Sequence, residues 1–466
     1  MADEFDVIVI GAGPPGENAA GRCADGGLSV AIVEERLVGG ECSFWACIPS
    51  KTLIRPGDVI AAARRVPGAA EAVTGEVNVE AAFAQRDYMT SSWSDHTQTP
   101  WLDSEGIELV RGHGRLAGER VVEVELRESG SRRLTARRAV VVATGSSAAI
   151  PPIQGLQAAT PWDNVSITSA KQLPRRLLVL GGGPVGAEMA QCFKRLGSEE
   201  VTVIEGGPRL LSREEPFAGE EVRAAFEADG ITVLTEARMT ACRREAPDAP
   251  VTAVLEDGRE LVGDEILVAV GRRPRTSDIG LDTVGLGELA GKYVAVDDRL
   301  RVQGASGEWL YSVGDANGLA LLTHMGKYQG RIAGDVILGR DVRDVADRDK
   351  VPRVTFTDPQ VAAVGLTERQ AREKAIAVRV VSYPTGGVAG AYTRGNGIGG
   401  TSQLVVDESR RVIVGATFTG QEVQELVHSA TVALVAEVPL DRLWHAVPSF
   451  PTVSEVWLRL LEAYGL

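Results

Sequence analysis

Two cysteines, Cys42 and Cys47, stand in the run ERLVGGECSFWACIPSKTLIRP with four residues between them. At i and i+5, where a helix begins, two thiols can bridge if the first turn is distorted, and the helix N-terminus stabilises a thiolate. Such a pair can trade electrons with a carrier. A zinc site would need further ligands at suitable spacing, and none lie nearby in the sequence. Two bystander thiols packed as small apolar residues are the remaining reading at this point.

A second chemical signal precedes the pair. Gly11, Gly13 and Gly16, in VIVIGAGPPGENAA, follow a short apolar run and open a helical pattern. Glycines so spaced let the backbone approach a pyrophosphate at the helix N-terminus, where free N–H groups and the dipole favour anions. Glu34 follows Gly16 by 18 residues, at the end of the next apolar run, where a carboxylate accepts hydrogen bonds from a ribose diol. The arrangement recurs in LVLGGGPVGAEMA, with Gly181, Gly183 and Gly186, and Glu205 stands 19 residues beyond Gly186. Two dinucleotide sites are therefore expected. At the second, Glu205 would repel a 2′-phosphate and bond a 2′-hydroxyl, while Gly206 and Gly207 offer no cation. NAD is favoured there, and NADP is admitted only through Arg209, four residues on.

The elements that must hold these groups read as short β-rich apolar runs at 7–10, 30–33, 140–143, 177–180, 201–204, 266–270 and 310–313. Several lead into glycine turns and helical patterns, the alternation of doubly wound α/β domains with buried parallel strands. A chain of 466 residues should hold about three domains. From about residue 350, VPRVTFTDPQVAAVG, AVRVVSYP, SQLVVD and VIVGATFTG predict antiparallel strands followed by helices. That α+β domain carries no phosphate loop and reads as a packing or dimerisation module.

With 49 Lys and Arg against 63 Asp and Glu, the formal charge is −14 and no long basic run exists, so nucleic acid is a poor partner. The opening MADEFDVIVIGAG lacks the basic segment and cleavage site of a secretory signal, so a cytoplasmic protein is expected. No apolar stretch approaches the roughly 18 residues of a membrane span. In a reducing compartment the five cysteines are not a disulfide framework, and Cys23, Cys192 and Cys242 are expected as small apolar residues. His96, His113, His324 and His428 lack metal-like spacing, so no metal site is expected.

GG-x-C-x-x-x-x-C-IPSK after the first glycine loop resembles the redox-disulfide signature of the class I flavoprotein disulfide reductases, the family of dihydrolipoyl dehydrogenase, glutathione reductase and mercuric reductase. VVATGS at 141–146, GAE at 186–188, VAVGRRPRT at 268–276, YSVGDANG at 311–318 and RVTFTDPQVAAVGLTE at 353–368 extend the likeness along essentially the whole chain. The resemblance implies two Rossmann-like, doubly wound domains and a C-terminal α+β dimerisation domain in a homodimer. FAD would occupy 1–149 and 276–349, NAD 150–275, and dimerisation 350–466. FAD would be held by Gly11, Gly13, Gly16, Glu34, the Gly114 region at the adenine, Thr144, Gly145 and Asp315 of the Gly314-Asp315 turn. NAD would be held by Gly181, Gly183, Gly186, Glu205 and Gly271. Lys51 would approach flavin N5 and pair with Glu188. Cys47 would face the flavin as the charge-transfer thiol, and Cys42 would be the outer, interchange thiol.

The likeness breaks at two places. Position 184, often a Tyr that shields the flavin, is Pro. The family's C-terminal H-P-T-x-x-E, whose His shuttles protons for the interchange thiol from the partner subunit, reads Phe450-Pro451-Thr452-Val453-Ser454-Glu455. Glu455 is kept, but Phe450 exchanges no proton, a loss costing about 10² to 10⁴ in rate. His445, five residues upstream, is the alternative, although it stands at a predicted helix end before Pro448. The resemblance therefore leaves three readings of the acceptor. It is a disulfide reached by an unusual proton route, or a quinone, dye or metal ion that needs no His. In the third, the chain is a redox-responsive FAD- and NADH-binding protein with negligible turnover.

Overall fold

A computed structural model describes residues 3–346 and 349–466. The first two residues of the acidic opening, and two just before the expected boundary at 350, lie outside them. The chain divides into two compact units. One takes the chain up to Pro49, Arg86–Ala149 and the stretch from Gly271; the other takes Ser50–Gln85, Ile150–Val270 and the C-terminal residues to Leu466.

In the first unit, period-two packing on both faces explains the continuous apolar runs. Val7 and Val9 of β1 (Glu4–Ile10) join a core with Ala19, Ala20 and Cys23 of α1 (Pro14–Asp25) and with Ala333 and Ile337 of the helix Thr323–Ile337. Ile8 and Ile10 face the opposite core, with Val122, Val124 and Leu134. A strand covered on both sides loses its polar alternation. β1 pairs in parallel with β2 (Val30–Glu34) and with the C-terminal half of β5 (Ser131–Val142). β2 continues in parallel to β3 (Glu108–Leu116), and β5 to the strand Leu310–Ser312. An antiparallel excursion through β4 (Val121–Leu126) joins β3 to β5.

The second unit repeats the logic. Strands Glu265–Val268, Arg176–Leu180, Glu200–Ile204 and Ile231–Leu234 form a parallel sheet in that order. The helix Pro184–Leu196 buries Ala187, Ala190 and Phe193 in a core shared with Leu177, Val179 and Val201. C-terminal strands Arg353–Thr355, Gln360–Gly365, Val412–Gly420, Thr401–Asp407 and Val378–Pro384 form an antiparallel sheet in that order. Helices Leu426–Val435 and Val456–Tyr464 pack on it through Ala430, Leu434, Trp457 and Leu460. No helix among the described residues is long and apolar enough to cross a membrane.

Each parallel sheet turns into its first helix through a crowded glycine corner. A Cβ on Gly16 would lie 1.9 Å from the Gly11 carbonyl oxygen, and one on Gly186 would lie 1.9 Å from that of Gly181. Gly11 and Gly181 hold φ of +106° and +109°, a region that favours glycine. Gly186→Ala should therefore lower stability by about 1–3 kcal/mol, read from the denaturant midpoint, and weaken nicotinamide nucleotide binding in the same preparation. A stable variant with unchanged nucleotide affinity would show that the corner relaxes freely.

Candidate active site

At the first glycine corner α1 begins after Gly13 with no side-chain cap, and prolines fill its first positions. Neither proline carries an N–H, so Gly16 is the first helical residue whose backbone can donate to an anion, and no side chain caps the turn. Glu34 braces the loop from below: Oε2 accepts from the Ala12 N–H at 2.8 Å and Oε1 from the Arg36 N–H at 2.7 Å. Burial raises the Glu34 pKa against both of these bonds. Thr144 Oγ1 is buried with no hydrogen-bond partner among the described residues. A Cβ added to Gly145 would meet nothing, and one on Gly114 would crowd Val33 and Ile10. Asp315, on the turn after the strand Leu310–Ser312, accepts from Ser146 Oγ at 2.5 Å and stands 3.6 Å from Arg272. Burial outweighs both partners and raises its pKa. An uncapped helix start with its first donor at Gly16, an orphaned hydroxyl on Thr144 and the braced Glu34 fit FAD.

The second corner has the same construction. The helix Pro184–Leu196 starts after an uncapped Gly183, and Glu205 accepts from the Gly182 and Gly207 N–H groups, each at 2.6 Å. Arg209, the cation that sequence placed nearest, donates instead to the carbonyls of Ser212 and Glu214. Both bonds are made by Nη2, while Nε is buried with no partner among the described residues. These residues fit a nicotinamide dinucleotide.

Between the cysteines the structure departs from a single distorted helix. Cys42 lies in a short helix, α2 (Gly40–Phe44), and Cys47 is the first residue of a separate one, α3 (Cys47–Arg64). The break falls at Trp45, whose ring is packed under the Arg36 guanidinium at 3.8 Å. Gly40, at φ +57°, passes so close to the first loop that its Cβ would be 2.7 Å from Gly13 Cα. Both cysteines are free thiols, and Cys47 Sγ lies 3.3 Å from Thr323 Oγ1. A hydrogen bond with Cys47 and then burial push the Cys42 thiol far above its ordinary value, against weaker opposition from Thr323 and Lys327. Glu41, next to Cys42, ion-pairs with Arg272 and Arg275, and Arg272 in turn donates to Ser146 Oγ at 2.6 Å. Sequence reading missed Glu41 and Thr323, whose partners stand hundreds of residues away.

Lys51 stands one turn beyond Cys47 on α3. Its Nζ lies 2.6 Å from Glu188 Oε2, and Glu188 is buried. Phe356 completes this group, as its N–H donates to Glu188 Oε1 at 3.0 Å and its ring centre is 4.7 Å from Lys51 Nζ. Sequence reading gave the C-terminal segment no part here. The RVTFTDPQ landmark was the available signal.

The C-terminal candidates are not gathered there. Glu455 is buried and paired with Arg459 at 2.8 Å. His445 is exposed beyond the short helix Leu440–Leu443, and Phe450 is 75% exposed. Gly271, at φ +142°, has open space where a Cβ would be. No group of His, Cys, Asp and Glu among the described residues could hold a metal ion.

Two dinucleotide corners, a braced acid at each and a thiol pair beside the first define an FAD-dependent oxidoreductase that works with NAD(P)H. The chain belongs to the pyridine nucleotide-disulphide oxidoreductase family: residues 5–330 match the family's main region and 351–460 its dimerisation domain. It is 32% identical over 457 residues to a dihydrolipoyl dehydrogenase of Mycobacterium tuberculosis, covering 97% of this chain and 96% of that one. A mercuric reductase of Lysinibacillus sphaericus is 28% identical over 455 residues, covering 97% and 81%. Among solved structures, LpdA from Mycobacterium tuberculosis matches with TM-score 0.86 at 25% identity over 100% of both chains. The HOCl-induced flavoprotein disulfide reductase RclA from Escherichia coli shares the fold, with TM-score 0.85 at 24% identity over 99% of each chain.

Glu17, in the first turn of α1, has its pKa pushed up to about 7 by burial, with Lys327 opposing and Glu34 adding. A carboxyl raised on folding supports the fold at low pH, and that support is lost as pH rises from about 4.5 to about 7. Glu17→Gln removes the loss. Its advantage over the parent in thermal unfolding should grow from about pH 5 to about pH 8, by on the order of 1–3 kcal/mol. An equal advantage at both values would contradict the assignment.

Proposed function

We propose that the chain passes electrons from NADH, through FAD, to the Cys42–Cys47 pair and on to an external acceptor. The observation that carries this reading is that Cys47, held by Thr323, begins the helix on which Lys51 meets Glu188. FAD, when bound, accepts a hydride from the reduced nicotinamide and yields the electron pair. Residues 1–149 with 276–349 hold FAD, 150–275 hold NAD, and 350–466 form the interface of a homodimer. In this assignment Gly11, Gly13, Gly16, Glu34, Gly114, Thr144, Gly145, Gly314 and Asp315 serve the flavin nucleotide. Gly181, Gly183, Gly186, Glu205 and Gly271 serve the nicotinamide nucleotide, and Glu205 with Arg209 turned to backbone supports NADH over NADPH. The protein is assigned to the cytoplasm, where a dithiol can be kept reduced.

Lys51 supplies a fixed cation and Glu188 holds it. Cys47 faces the flavin and Cys42 faces the acceptor. Overall, NADH, a proton and the internal disulfide give NAD⁺ and two thiols. As a thiolate, Cys42 attacks an acceptor disulfide and releases one thiol, and Cys47 then displaces the second to restore the internal disulfide. The first displacement needs Cys42 to lose its proton, which its hydrogen bond with Cys47 and its burial oppose.

The exposed phenyl of Phe450 favours a second reading. A quinone, dye or metal ion takes electrons from the flavin or the thiols without a His to accept the Cys42 proton.

Anaerobic titration with NADH tests the first reading. The parent should take up two two-electron equivalents and show a long-wavelength thiolate–flavin band, whereas Cys47→Ser should take up one and lack the band. Uptake of a single equivalent by the parent would remove the redox-active pair from the reaction. Phe450→His separates the acceptors. If protonation limits disulfide turnover, NADH-driven lipoamide reduction should rise by about tenfold or more while menadione reduction stays within about twofold.

A further inference from the structure

The segment Phe356–Asp358 follows the strand Arg353–Thr355 and belongs, by sequence, to the dimerisation domain. It is fastened along one face of the helix Pro184–Leu196 by side chains at i, i+3 and i+7. Glu188 Oε1 accepts from the Phe356 N–H at 3.0 Å. Gln191 Oε1 accepts from the Asp358 N–H at 2.7 Å, while its Nε2 donates to the Asp358 carbonyl at 2.9 Å. Arg195 donates to the Asp358 carboxylate at 2.8 Å, and Arg65 does so at 2.5 Å. Arg195 also pairs with Asp58, seven residues beyond Lys51 on α3, at 3.2 Å. The arginines hold the Asp358 pKa below the ordinary carboxylate range although burial opposes them. The Phe356 N–H and the N–H, carbonyl and carboxylate of Asp358 thus each have a fixed partner on the helix Pro184–Leu196 or at Arg65.

The consequence falls on Phe356. Its N–H holds one oxygen of Glu188, Lys51 Nζ holds the other, and its ring lies 4.7 Å from that same Nζ. A cation over an aromatic face is attracted by the ring quadrupole, and the phenyl also displaces water from one side of the ammonium. A long, flexible lysine is otherwise free to choose among rotamers, and one ion pair constrains it only loosely.

We propose that Phe356 is a positioning residue for Lys51, fixing the direction of its ammonium through the ring and the placement of Glu188 through the N–H. The dimerisation domain thereby contributes to the Lys51–Glu188 pair within its own chain. This rests on the reading that Lys51 faces the bound flavin.

The test compares Phe356→Leu, which keeps the N–H and loses the ring, with Phe356→Tyr, which keeps both, and with Lys51→Met. Each holoenzyme is followed by stopped-flow bleaching of the flavin on mixing with NADH. The rate of Lys51 acetylation by acetic anhydride is read separately by mass spectrometry in all but Lys51→Met. Phe356→Leu should slow bleaching and speed acetylation, each by about 3- to 30-fold. Phe356→Tyr should stay within about twofold of the parent in both. Phe356→Leu should add no further slowing in the Lys51→Met background. Should Phe356→Leu fold poorly, Phe356→Met carries the same comparison with similar volume. Slow bleaching in Lys51→Met together with unchanged bleaching and acetylation in Phe356→Leu overturns the positioning role alone. Parent-like bleaching in Lys51→Met overturns the reading of Lys51 and the positioning role with it. Equal damage from Leu and Tyr shows that the ring is not the agent and also overturns the proposal.

Discussion

A carbonyl oxygen standing where a side chain would begin is the constraint on which both halves of this protein depend. At Gly16 and at Gly186 only hydrogen fits, so each first helix starts hard against the end of its strand, with N–H donors uncapped. The acids one strand further on then reach back under the loop. Glu34 and Glu205 each bind two backbone N–H groups and fix the loop's shape from below. Hydrogen bonds to a charged acceptor contribute about 1.5–3 kcal/mol each. Both corners are thus preformed, which lowers the cost of ordering them around a ligand.

What could be read from the sequence follows from that locality. Steric exclusion at a glycine and burial of both faces of a strand are short-range facts, so the corners and the parallel strands are legible from a dozen residues at a time. The Lys51–Glu188 pair came from likeness to a family rather than from any pattern. Phe356 and the arginines around Glu41 stand in the family landmarks, but their pairing with Lys51 and Glu41, like that of Thr323 with Cys47, was not legible, because such pairings span hundreds of residues and carry no period. Arg209 illustrates the converse. Its spacing suggested a phosphate partner, yet local carbonyls engage its Nη2. The break between the cysteines was also hidden: α2 ends at Trp45, which leaves helical φ and whose ring packs under Arg36.

Charge is distributed unevenly around the thiols. Glu41 is neutralised by Arg272 and Arg275, so the carboxylate beside Cys42 is committed to the network around Asp315 and Ser146. At Cys42 the hydrogen bond with Cys47 and then burial favour the protonated form, and Thr323 and Lys327 oppose them only weakly. In the proposed reaction this separates two tasks that the family signature joins. The proposed path for electrons uses the half-buried Cys42 and Cys47 of the chain itself, whereas Phe450 supplies no path for a proton.

The helix α3 runs from Cys47 to Arg64 with Pro56 inside it, and its register constrains what evolution can alter within it. Each residue added to a helix turns everything beyond it by about 100°. An insertion or deletion between Cys47 and Asp58 would therefore part Lys51 from Glu188, or Asp58 from Arg195, whatever residue was involved. Substitutions can accumulate along this stretch, but changes in length cannot. Among relatives that keep the thiol pair, the distance in sequence from the second cysteine to the lysine and the aspartate should be invariant even where the residues between them are not.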